Sequence, residues 1–205
     1  MIDYTKLFCC LLLIYLIITL TEWFVHKHIM HNQTLDPGHI RHHKSVYKNM
    51  KLDDSEFIEK DIKMGTDHTI LITTWSFISF NYIINNLLKY NIKPKYIMTG
   101  SLLLGIFYHL LWNKYHRKMH FEANFFVNTN NKFLKWMFIN HAIHHLQKGP
   151  SKGNFNIVFP GGDWLMGDYH TEVDNTTFCS DENNKINSKD ICDHALKFNT
   201  IPIDD

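Results

Sequence analysis

The residues best suited to chemistry in this chain are its histidines, and they are bunched. Residues 22–43, EWFVHKHIMHNQTLDPGHIRHH, carry six of the fifteen, and residues 116–145 carry five more. A neutral imidazole offers a lone pair at physiological pH, which makes histidine the commonest metal ligand among side chains. On a helix, residues i, i+3 and i+4 share a face. His39, His42 and His43 have that spacing, as do His141, His144 and His145. His116 and His120 form an i, i+4 pair, the spacing at which two imidazoles bind one metal. His26 and His31 stand five apart, roughly 140° round a regular helix, so they converge only if the helix ends or distorts between them. His28, His68, His170 and His194 stand alone and read as surface or satisfied core residues. The chemistry such a pattern allows is a metal centre.

The elements that must position these residues are apolar. A net charge of +1 and 45% hydrophobic residues resemble an ordinary soluble protein, but the apolar residues are concentrated. Residues 7–21, 68–88 and 96–113 contain no Asp, Glu, Lys or Arg. A bilayer core about 30 Å thick takes roughly 20 helical residues to cross. Three spans are therefore predicted, the first reaching to about residue 25 with Glu22 turned toward other helices. That first run overlaps a signal sequence in length, but no basic region beyond Lys6 precedes it and no small-residue cleavage site follows. It reads as a retained span. The fold class expected is all-α: an integral membrane protein with about three transmembrane helices and a cytosolic, histidine-rich helical cap.

Between the spans the chain is punctuated. Asp36-Pro37-Gly38 breaks the first helix, and His39 opens a short segment. Residues 49–67 read as a polar surface connection. The link KYNIKPK, with Pro94, suits a hairpin between the second and third spans. Residues 133–139 are apolar but too short to cross, and predict an aromatic interfacial helix that leads into His141. GNFNIVFPGGDWLMGDY reads as an ordered loop, and residues 171–205 as a polar, loosely ordered tail. Cys9, Cys10, Cys179 and Cys192 lack metal-type spacing and do not form a disulfide scaffold.

Loop charges orient the chain. Lys and Arg number seven in residues 26–68, ten in 114–205, three in the hairpin 89–95, and one in the N-terminus. The positive-inside rule then puts both histidine blocks in the cytosol.

The order H-x4-H, H-x2-H-H, H-x3-H, H-x2-H-H, with a hairpin in the middle, resembles the fatty acid hydroxylase and sterol desaturase superfamily. The segment NFNIVFPGGDWLMGDY resembles that family's closing motif, with Asn154, Phe155, Pro160, Asp163, Leu165 and Gly167 in place. The resemblance spans roughly residues 7–169, which makes residues 1–170 a hydroxylase-like domain and 171–205 a tail. It implies ten metal ligands: His26, His31, His39, His42, His43, His116, His120, His141, His144 and His145. It also implies two iron ions, O2 as co-substrate and a lipid substrate from the bilayer. Zinc can replace iron in a purified sample, because it sits higher in the affinity order. The family usually has Trp next to the motif Asp, where this chain has Gly162. Many members carry a further N-terminal span and some a fused b-type cytochrome. Neither stands here, so a separate b-type cytochrome with its reductase is the expected electron donor.

The compact closing segment looks closest to fatty acid 2-hydroxylases, in the endoplasmic reticulum of a eukaryotic cell with the metal site facing the cytosol. Sterol or carotenoid oxidation and desaturation use the same metal chemistry. Of another class are a haem-binding membrane protein and a metal store or sensor. No nucleic-acid partner is expected. Glu22, Asp36, Glu122 and Asp163 are candidates to hold imidazole N–H groups. His109, well inside the third run, either bonds a neighbouring helix or lines a lipid channel; on both readings it is not a ligand.

Overall fold

A computed structural model describes residues 4–46, 59–147, 152–174 and 185–187. Cys179, Cys192 and His194 lie outside these residues. Helices α1 (Tyr4–Phe24), α3 (Thr66–Asn81) and α4 (Pro94–Phe121) are the long elements. They pack together and carry the histidine-bearing helices α2 (Pro37–Ser45) and α6 (Lys132–Leu146) at one end. Short helices α5 (Ala123–Val127) and α7 (Gly162–Met166) complete the helical set.

The three long helices turn apolar side chains outward. Phe8, Leu11 and Leu12 on α1, Ile70, Trp75 and Ile78 on α3, and Leu102, Leu103, Ile106 and Phe107 on α4 are all exposed. Among the described residues, one helical stretch, Leu11–Met30, is long and apolar enough to cross a membrane. Inside, α3 approaches α4 closely because position 105 is glycine. A Cβ there would lie 2.1 Å from Thr73 Oγ1.

Local chemistry explains the ends of α2 and α6. Asp36 caps α2 by accepting the His39 N–H at 2.9 Å, and Pro37 takes the first helical position, where a missing N–H costs nothing. Asn131 caps α6 in the same way, accepting from Phe133 and Leu134. α4 runs unbroken for 28 residues, so His116 and His120 ride on the helix of the third apolar run.

The stretch expected as a polar tail contains one antiparallel pair, β1 (Glu172–Asp174) with β2 (Lys185–Asn187), in the register Val173 to Ile186. Two expectations need correcting. The closing segment is not all loop, since it contains α7. The polar connection is not all surface either. Asp61 and Ile62, in a 3-10 turn at Glu59–Ile62, are buried.

Candidate metal centre

α1 does not end where its α-helical bonding ends. It continues as a π-helical turn, Val25–Met30. His31 N–H donates to the His26 carbonyl at 3.1 Å, an i to i+5 bond that stacks the two residues one above the other. Their ring centroids are 5.1 Å apart. This is the distortion that the five-residue spacing requires.

The ten histidines sort into two groups. His26, His31, His39, His43 and His144 form the first, and His42, His116, His120, His141 and His145 the second. Within each group the ligand atoms lie within 4.8 Å of one another. α2 and α6 each serve both groups: His39 and His43 face one while His42 faces the other, and His144 parts from His141 and His145 in the same way. The groups adjoin, with the His43 and His145 rings stacked at 4.1 Å.

The nitrogen spacings fit metal ions. Nε2 atoms stand 3.0 Å apart for His26–His39, His31–His144 and His120–His141, and 3.1 Å apart for His39–His43 and His43–His144. Two nitrogens held about 2.1 Å from one ion lie about 3 Å apart at right angles and about 3.4 Å apart at the tetrahedral angle. The observed values match right angles. A chain of hydrogen bonds explains them poorly. His26 Nδ1 faces the Phe155 carbonyl at 2.6 Å, and His144 Nδ1 the Gly153 carbonyl at 2.8 Å. Each Nδ1 must donate there, which leaves each neutral ring a lone pair at Nε2 aimed into the first group.

The second group shows the same design. His116 Nδ1 donates to the Ile62 carbonyl at 2.8 Å, and its Nε2 is buried without a partner among the described residues. Both ring nitrogens of His42 and of His145 are likewise buried and unpartnered among those residues. Orphaned polar atoms of this kind are costly unless something binds them. The residues therefore fit two metal ions, and imidazole alone does not select among iron, zinc and copper.

Electrostatics agree. Burial holds the His31 imidazolium at a pKa of about 3 and that of His116 at about 4. Burial, then repulsion from neighbouring imidazoles, pushes His39, His42, His141, His144 and His145 well below the usual histidine range. Neutral rings are the form that binds metal.

Lys152, which no sequence motif marked, lies with Nζ 3.0 Å from His43 Nδ1. Burial lowers its ammonium to about 7. For His43 to present a lone pair at Nε2, its Nδ1–H must donate to Lys152 as the neutral amine.

None of the four candidate carboxylates accepts from a ring of the ten among the described residues. Glu22, 2% exposed, accepts the backbone N–H groups of Ile157, Val158 and Phe159 at 2.7–2.8 Å. Asp163 accepts those of Phe155 and Asn156, both at 2.8 Å. Five successive amides of the closing segment are thus held by two carboxylates, while its Gly153 and Phe155 carbonyls face imidazoles. Glu22 and Asp163 act one step behind the carbonyls that orient His26 and His144. Asp36 caps α2 and lies 3.3 Å from His68. Glu122 pairs with Lys118 across one exposed turn.

Gly162 belongs to this arrangement. A Cβ there would lie 2.6 Å from the Thr19 carbonyl, so α1 crosses the closing segment where no side chain fits. Arg41 and Asp61 are further residues that sequence reasoning missed. Arg41 grips Asp61 with two bonds of 2.9 Å, next to the Ile62 carbonyl that orients His116. Their signal was faint, an Arg and an Asp in polar stretches. His109 joins neither group. Its Nδ1 lies 2.8 Å from Thr69 Oγ1 and its Nε2 2.9 Å from Asn113 Nδ2, the hydrogen bond to a neighbouring helix.

Fold and site together define a helical protein with two adjoining five-histidine groups that can hold two metal ions. Compared with known proteins, the chain matches no protein-family model, no curated protein and no solved structure.

Proposed function

We propose that this protein is a membrane di-iron oxygenase that hydroxylates a lipid acyl chain with O2 and external electrons. The observation that carries the reading is the pair of adjoining groups of five histidines, assembled from imidazoles alone among the described residues. Iron bound there would supply the oxidising power that no side chain has. Five donors in each group would leave a position free on a six-coordinate ion.

The protein's own contribution is binding, orientation and exclusion of water. The ten imidazoles would hold the ions, and the Phe155, Gly153 and Ile62 carbonyls fix three of their tautomers. Trp112, fully buried, packs on His26 and His116, one ring from each group, and closes the site toward α1, α3 and α4. We place α1, α3 and α4 across the bilayer, because their outward faces are apolar. A groove of about 330 Å3 between α1 and α3, lined by Leu20, Trp23, Phe24 and Trp75, offers an acyl chain a place to lie against the helices. On this reading the histidine end faces the cytosol at the endoplasmic reticulum, and a b-type cytochrome with its reductase delivers electrons.

The test is expression in a lipid-producing host, with mass spectrometry of total lipids and metal analysis of the purified protein. Lipids that gain one oxygen, absent with His144→Ala, support the reading. A two-iron protein that leaves every lipid unchanged overturns lipid hydroxylation. A haem spectrum overturns the non-haem centre as well.

A further inference from the structure

α6 presents histidines on one face and a different surface on another. Lys132, Lys135, Trp136, Ile139 and Asn140 follow the spacing i, i+3, i+4, i+7, i+8 of a single helical stripe. With Tyr169 they line a groove of about 310 Å3. That is the size of a small-ligand site.

The groove is graded along its length. At one end, Lys132 and Lys135 stand in or beside the first turn of α6, which holds no acidic residue. The N-terminus of a helix is already electropositive, so lysines there are disfavoured by the helix and together favour an anion. Neither ammonium has a carboxylate partner among the described residues. Trp136 and Ile139 then make the wall apolar. Farther along is Asn140, 2% exposed, whose Nδ2 donates to the Asn156 carbonyl at 2.5 Å and ties this end of the groove to the closing segment.

We propose that this groove binds an anionic phospholipid. The lysines take the phosphate, and the apolar wall takes the upper acyl chain. Charge complementarity selects an anionic lipid over a zwitterionic one. The assignment rests on the membrane placement proposed above, which puts α6 at the bilayer surface. It needs no turnover, so lipid oxidation and lipid binding can fail independently.

The experiment uses the full-length, metal-loaded protein in phosphatidylcholine nanodiscs doped with brominated phosphatidylserine or brominated phosphatidylcholine. Bromine quenches tryptophan on contact, and the difference between wild type and Trp136→Phe isolates Trp136. The serine lipid should quench that component at roughly tenfold lower mole fraction. Lys132→Gln with Lys135→Gln should abolish the preference while metal content stays unchanged. Equal quenching by both lipids, quenching by neither, or a preference that survives in the double variant overturns the proposal. So does loss of the preference in millimolar inorganic phosphate, which would mark a free-anion site instead.

Discussion

His31 reaches the metal centre because its N–H bonds to the His26 carbonyl five residues back, at 3.1 Å. One extra residue between them should turn His31 roughly 100° round the helix. Inserting Ala after Lys27 should therefore cost the first group its ion while the second keeps its own. Metal analysis should then read one ion per chain instead of two. Two ions would show that the π turn is dispensable.

Glu22 organises the closing segment from α1. Glu22→Ala leaves three amides unpartnered, and the two fully buried ones, of Ile157 and Val158, cost about 1–3 kcal/mol each. The variant should unfold at markedly lower denaturant. Because the Phe155 and Gly153 carbonyls would shift, first-group metal affinity should fall about 10–100-fold. A chelator titration that finds the two groups equally weakened would contradict this division.

Arg41 and Asp61 should matter to the other group. Asp61→Asn removes the carboxylate that Arg41 grips and loosens the Ile62 carbonyl behind His116. Second-group affinity should drop roughly tenfold or more, with the first group unaffected. Arg41→Lys keeps the charge but loses the fork, and should fall between. The same chelator titration, followed by metal spectroscopy, distinguishes the two.

Acid should unfold the metal-free protein. Folded His31 and His116 stay neutral down to about 3 and about 4, whereas the unfolded chain takes protons near the ordinary 6.5. Between those limits the unfolded state binds more protons, so stability rises with pH and is lost as pH falls. Asp163 acts oppositely. Burial raises it to about 6, so its contribution is lost as pH rises from 3.8 to about 6. The buried imidazoles outnumber the buried carboxylates. Urea midpoints should fall steadily from pH 7 to 4, more steeply in Asp163→Asn. A flat profile would contradict the buried neutral histidines.

His109 and His116 share α4, but only His116 belongs to a metal group. His109→Gln should retain two metals and lose about 1 kcal/mol of stability through its bonds to Thr69 and Asn113. His116→Gln should lose the second ion. Loss of metal in the His109 variant would redraw the ligand set.

The ligand types and their helical faces were legible from sequence, because spacing along one helix fixes which side chains share a side. The break at Asp36-Pro37-Gly38 was legible for the same reason, since Pro and Gly act on their immediate neighbours. The partition of ligands was not. His31 meets His144 across 113 residues, and His42 parts from His43 although they are adjacent. Which imidazole faces which group depends on how α2 and α6 sit between α1 and α4, and no local pattern encodes that. The carboxylates mislead for a related reason. Glu22 lies one turn from His26 in sequence, yet its oxygens go to the amides of Ile157, Val158 and Phe159, because a buried carboxylate must satisfy its lone pairs with whatever donors the tertiary packing brings.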